Sequence, residues 1–106
     1  MQVVVDLRAE PVAVVLEDPA DCGRFHVAVR GTGDAAALDR ALRSGSVGSL
    51  DGDGEALVLV DAVRRLAAGS VGDSWDDDFA AMLGYAGSKG WLSEDGAEIR
   101  AHVEWG

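Results

Sequence analysis

Apolar and polar residues alternate in three stretches near the start of the chain. Val3, Val5 and Leu7 face one way, with Asp6 and Arg8 on the other side. Val12, Val14 and Leu16 repeat the period, and Phe25, Val27 and Val29 alternate with Arg24, His26, Ala28 and Arg30. A period of two predicts strands with one buried face. Ala9-Glu10-Pro11 and Pro19-Ala20-Asp21-Cys22-Gly23 read as the turns between them. Such short connections favour antiparallel neighbours, and Pro11 suits an edge position.

The pattern then changes period. Thr32 or Asp34 can cap a short helix from about Ala35 to Arg43 that ends near Gly45, with Asp39 and Arg43 at ion-pair spacing. Ser44 to Gly54 is rich in Gly, Ser and Asp and reads as a loop. Glu55 to Ala68 reads as a second helix with Leu59, Val63 and Leu66 on one face and Asp61 paired to Arg65, although Leu57-Val58-Leu59-Val60 alone could be a buried strand. Trp75, Phe79, Met82, Leu83 and Ala86 form one apolar stripe of a third helix. Ser74 and Asp77 have the spacing of a capping box, Asp76 to Asp78 occupy the first turn, and Gly87 and Gly90 suit the exit. After a turn at Ser93-Glu94-Asp95-Gly96, Ile99, Ala101, Val103 and Trp105 alternate with Glu98, Arg100, His102 and Glu104. Trp105 continues the apolar stripe of this strand and is expected to be largely buried.

These elements predict one α+β domain over residues 1–106. It has an antiparallel sheet of three to four strands with about three helices packed on one face, in the order β-β-β-α-α-α-β. No repeat and no domain boundary interrupts it.

Charge adds a constraint. The 106 residues carry 19 Asp and Glu against 9 Lys and Arg, a net charge of −10. The basic residues are scattered, so nucleic acid and anionic membranes are disfavoured as partners. That also counts against DNA or RNA binding through the helices at Glu55–Ala68 and Ala80–Lys89. Basic proteins and cations remain compatible. No apolar run approaches a membrane span, the N-terminal residues lack the basic flank of a secretory signal, and Cys22 is the only cysteine. The expectation is a cytoplasmic, soluble chain without an internal disulfide.

Candidate chemistry is sparse. Asp51-Gly52-Asp53-Gly54-Glu55 resembles the start of a calcium loop, but the sixth and twelfth positions are Ala56 and Ala62, where Gly and Glu are required. It reads better as an acidic turn. Asp76, Asp77 and Asp78 point about 100° apart on a helix and cannot converge on one ion. Cys22 and His26 are four apart, the elements of a thiolate–imidazole pair, with no third residue to orient them.

His26 and His102 are the only histidines. Both fall on the non-core side of a strand, with Arg24 and Arg30 on one and Glu98, Arg100 and Glu104 on the other. Adjacent strands would bring imidazole, guanidinium and carboxylate together, a set suited to acid–base work or to weak metal ligation. Solvated cross-strand pairs are the plainer outcome. The catalytic candidates are thus His26, His102, Glu104 and Cys22. No cofactor or metal is expected. Trp91 and Leu92, beyond the third helix, are candidate contact residues.

The primary functional expectation is a small acidic accessory or protein-interaction domain. Its partner would be another protein or a second copy of the chain, as a homo-oligomer, bound through an open sheet face or an edge strand. The alternative is a small enzyme or a ligand- or metal-binding protein with its site around His26 and His102.

Overall fold

The computed structural model describes residues 1–9, 11–52 and 54–105. Glu10 of the first turn and Asp53 of the acidic turn lie outside the described residues. In chain order the elements are β1 (Gln2–Asp6), β2 (Ala13–Glu17), β3 (His26–Arg30), α1 (Ala35–Ser44), β4 (Gly48–Asp51), β5 (Glu55–Leu59), α2 (Val60–Ala67), α3 (Trp75–Ser88) and β6 (Glu98–Trp105).

The class is α+β, but the sheet is larger than expected and mixed. Six strands lie in the order β2-β1-β3-β6-β5-β4. β1 pairs antiparallel with β2 and parallel with β3, β3 pairs parallel with β6, and β6-β5-β4 continue antiparallel. The expectation of antiparallel neighbours holds for β1 and β2 and fails for β3. Gln2 is level with both Glu17 and His26. The connection from β2 to β3 therefore steps round the end of β1, a span of two strand spacings or about 10 Å. β1 becomes an interior strand, and Pro11 precedes the edge strand β2.

Two further differences come from residues 44–60. The expected loop contains β4, and the expected helix from Glu55 begins as β5. Gly48 explains β4: a Cβ there would lie 2.0 Å from the Leu57 carbonyl oxygen, so the close approach of the two backbones admits only hydrogen at that position. α2 then starts with no linker. Its N-cap, Leu59, has no capping side chain, but the Leu59 and Val60 N–H groups donate to the Val47 and Ala97 carbonyls at 2.7 and 2.9 Å. Tertiary partners thus replace the local signal that normally marks a helix start.

Other ends follow local rules. Asp34 caps α1 by accepting from Ala37 N–H at 2.8 Å. At its C-terminus Val47 N–H donates to Leu42 O and Ser46 N–H to Arg43 O, with Ser46 at φ 54°. That is a Schellman closure with serine where glycine is usual. Ser74 makes no side-chain cap on α3, so the expected capping box does not form. Arg64 takes the place expected of Arg65 as the partner of Asp61, at 3.7 Å, while Arg65 donates to the Gly45 carbonyl at 3.0 Å.

One core fills the space between sheet and helices. Val3 and Val5 of β1, Val27 and Val29 of β3, Ala56 and Val58 of β5 and Ile99, Ala101 and Val103 of β6 present one sheet face to Leu38, Leu42, Val63, Trp75 and Phe79. Trp75 stacks on Phe79 with ring centroids 4.8 Å apart, and the Arg64 guanidinium covers the Phe79 ring at 5.3 Å. The α3 stripe is oriented as its period implied. Trp105 is not: it is 42% exposed. It lies opposite Val29 of β3, but the β5–β6 ladder stops at the Glu55–His102 pair, so no residue of β5 pairs with Trp105 on that side.

Phe79 is fully buried, so Phe79→Ala should cost ~3–5 kcal/mol. Trp105→Ala should cost less than half of that. Chemical denaturation of the two variants checks the ranking, and equal losses would contradict it.

Asp39 ties α1 to β4, accepting from Leu50 N–H and from Arg43 Nε, both at 2.8 Å. The Leu50 N–H, and then Arg43, hold its carboxyl below the usual carboxylate range. A lowered acid stabilises the fold above the unfolded-state value and loses that contribution as pH falls through the folded one. Asp39→Asn should therefore lower the denaturation midpoint at pH 7, and the gap to wild type should close below about pH 4. Midpoints measured across that range test the sign.

Candidate functional site

The second face of the sheet carries the other half of each strand's alternation. Because the side chains of paired residues share a face, the registers define a row across all six strands: Glu17, Gln2, His26, His102, Glu55 and Asp51. The next level holds Val15, Val4, Ala28 and Glu104. His26 and His102 are direct partners on the two middle strands. His26 Nε2 lies 3.5 Å from Glu104 Oε2, an ion pair when the imidazole is protonated, and the His26 side chain is 24% exposed.

Arginines bridge this face on both sides of the histidines. Arg30 on β3 reaches Glu17 on β2 at 3.0 Å, crossing over β1. Val4, on the strand crossed, is buried although it belongs to no part of the core cluster, and it lies between Val15 and Ala28 of the neighbouring strands. Gln2 adds a hydrogen bond to the same Glu17 oxygen at 3.0 Å. In the other half of the sheet Arg100 on β6 crosses β5 to bond Asp51 on β4, with Glu55 3.6 Å away. Asp51 first, and Glu55 after it, push the Arg100 guanidinium further toward its charged form. Both arginines are thereby matched to carboxylates. Asp6, itself held low by Arg8, and Glu98 and Glu104 add to an acidic face.

Trp91 and Leu92 sit at one corner of this surface. Trp91 N–H donates to Ala86 O at 2.9 Å and closes α3, while Arg100 N–H donates to Trp91 O at 2.7 Å. Leu92 bridges Ile99 and packs against the core. The Trp91 ring is 45% exposed and meets Tyr85 edge-on at 5.9 Å. Beside it runs a cleft of about 510 Å³ lined by Cys22, Phe25, Asp78, Met82, Tyr85 and Trp91, among others. Phe25, Trp91 and Arg100 also line a depression of about 220 Å³ that takes in Glu55 and His102, so the cleft opens toward the sheet face. Periodicity could not find this cleft, because its lining comes from a turn, a helix flank and a helix exit.

The sequence candidates divide accordingly. His26, His102 and Glu104 come together at the centre of the open face. Cys22 instead lines the cleft, its Sγ donating weakly to Pro19 O at 3.8 Å. Burial first, and then the charge of Asp78, push its thiol up, the opposite of what a nucleophile needs. Among the described residues no three His, Cys, Asp or Glu side chains converge as a metal ion requires, and no helix is long and apolar enough to cross a membrane. Comparison with models of protein families, with curated proteins and with solved structures finds no match to the chain.

Two imidazoles and one carboxylate fall short of a closed zinc shell. Stoichiometric zinc should leave the ring resonances of His26 and His102 in place. Selective broadening of both at one equivalent, followed by NMR, would establish a metal site there.

Proposed function

We propose that this chain is a protein-interaction domain whose docking surface is the open sheet face. The observation that carries the reading is the polar row across six strands, with Arg30 and Arg100 already neutralised by their own acids. Such a face is wide, held in place by cross-strand pairs and acidic in balance. It is suited to a partner of opposite charge, since complementary fields speed encounter and reject wrong partners. The net charge of −10 extends the same preference over the whole chain. A second copy is a poorer fit to this face, because two acidic surfaces repel. A homo-oligomer would form more readily along the edge strands β2 or β4.

A second reading rests on His26, His102 and Glu104. Their adjacency suits proton transfer, so a small enzyme acting at the centre of the face is the alternative. The two readings differ in what the histidines are needed for. Binding to a wide face survives their replacement, whereas acid–base chemistry does not.

Glu98 and Glu104 lie on the open face away from the core, so reversing them tests the surface with little cost to the fold. The immobilised chain should retain a partner from a lysate of its source organism. Glu98→Lys with Glu104→Lys should release that partner while the circular dichroism spectrum is unchanged, and His26→Ala with His102→Ala should retain it. Identical capture by wild type and the charge-reversed variant would overturn the reading. So would a salt-sensitive shift of random DNA or RNA at micromolar concentration.

A further inference from the structure

The cleft beside α3 has a chemistry of its own. Its walls are the aromatic rings of Phe25, Tyr85 and Trp91 and the thioether of Met82, and Asp78 supplies a carboxylate at its margin. Tyr85 and Trp91 are 57% and 45% exposed, although they are large side chains that folding normally hides. Their edge-on contact fixes them relative to each other, so the exposed area is a preformed surface.

Three observations give the occupant its sign. The chain's own Lys89 ammonium lies 5.5 Å from the centre of the Tyr85 ring, so one face of that ring already takes a cation. Asp76, Asp77 and Asp78 stand in the first turn of the same helix. Inside the cleft the Cys22 thiol feels Asp78 as the strongest nearby charge, a negative one that adds to the effect of burial, while the Met1 ammonium opposes it from its place on Asp21. The one cation in the lining, Arg100, is neutralised by Asp51 and Glu55. The walls thus attract a flat cation that can stack on a ring and also pair with a carboxylate. Guanidinium meets both demands better than ammonium, because it is planar and more weakly hydrated.

We infer that the aromatic cleft between α3 and the Trp91 turn receives an arginine side chain from a basic segment of the partner protein. This rests on the interaction-domain reading and specifies it: the open face supplies the broad acidic contact, and the cleft at its corner supplies the anchor. Buried aromatic and arginine contacts are those that dominate binding energy at protein interfaces.

The test uses the full chain labelled with ¹⁵N and three capped hexapeptides, Gly-Gly-Arg-Arg-Gly-Gly and its lysine and citrulline counterparts. Citrulline keeps the shape of arginine and removes the charge. The arginine peptide should move the indole N–H signal of Trp91, leave those of Trp75 and Trp105 in place, and weaken with salt. The lysine peptide should bind less tightly and the citrulline peptide about tenfold less tightly than arginine. Trp91→Ala and, independently, Asp78→Asn should each reduce the affinity for the arginine peptide, and the second leaves the aromatic walls intact. Equal binding of citrulline and arginine, perturbation of Trp105 or the open face in place of Trp91, or no shift at millimolar peptide would overturn the inference. Capture of the partner separates the two levels. Loss on reversing Glu98 and Glu104, with retention in Trp91→Ala and Asp78→Asn, would discard the cleft as anchor and keep the domain reading. Indifference to both sets would discard both.

Discussion

Two parts of the sheet, β2-β1-β3 and β5-β4, meet only through β6, which hydrogen-bonds to β3 on one side and to β5 on the other. Most of what is distinctive in the molecule follows from this seam. It places His102 beside His26, it brings Arg100 within reach of Asp51, and its Ile99, Ala101 and Val103 complete the apolar face on which the helices rest. The strand is the last in sequence, so its ladder with β3 closes a loop of more than half the chain. Long-range pairings of this kind are formed late, because the entropy of loop closure precedes any gain from contacts.

The open face shows how a charged surface is kept ordered. Exposed ion pairs contribute little when isolated, and here their geometry matters more than their number. Each arginine spans a whole strand to reach an acid on the edge strand beyond it. Arg30 thereby ties β3 to the edge strand β2, and Arg100 ties β6 to the short edge strand β4. The histidines lie between the two crossings, on the strands that neither arginine spans. The centre of the face therefore holds the two imidazoles and Glu104 with no arginine laid across them.

What could be read from the sequence depended on whether the information was local. The α3 stripe and the alternation in β1, β3 and β6 carry their own periods, and they placed the core residues and put both histidines on one side of their strands. The sequence of β4, Gly48-Ser49-Leu50-Asp51, has no such period. It is a strand because β5 lies close enough to demand glycine at position 48, which is a property of the neighbour. The start of α2 was hidden for a related reason, since the Ala97 and Val47 carbonyls do the work of a cap. Alternation placed Trp105 on the correct side of β6 but could not reveal that β5 ends before reaching it. Nor could it show which strands run parallel, because the step from β2 round β1 leaves no mark in composition. The cleft beside Trp91 is the extreme case, a site assembled from three segments with no shared period.

The parallel course of β1, β3 and β6 has a mechanical consequence. Residue 2 starts β1 and residue 105 ends β6, three residues further along the common strand direction, and β3 runs between the strands that carry them. A force drawing those two points apart has a large component along the strands. That component must slide β1 and β6 past β3 and so load many hydrogen bonds at once, whereas a force purely across the sheet would open them one by one. The sheet should therefore resist tension along this axis far better than tension applied through the β1–β2 hairpin.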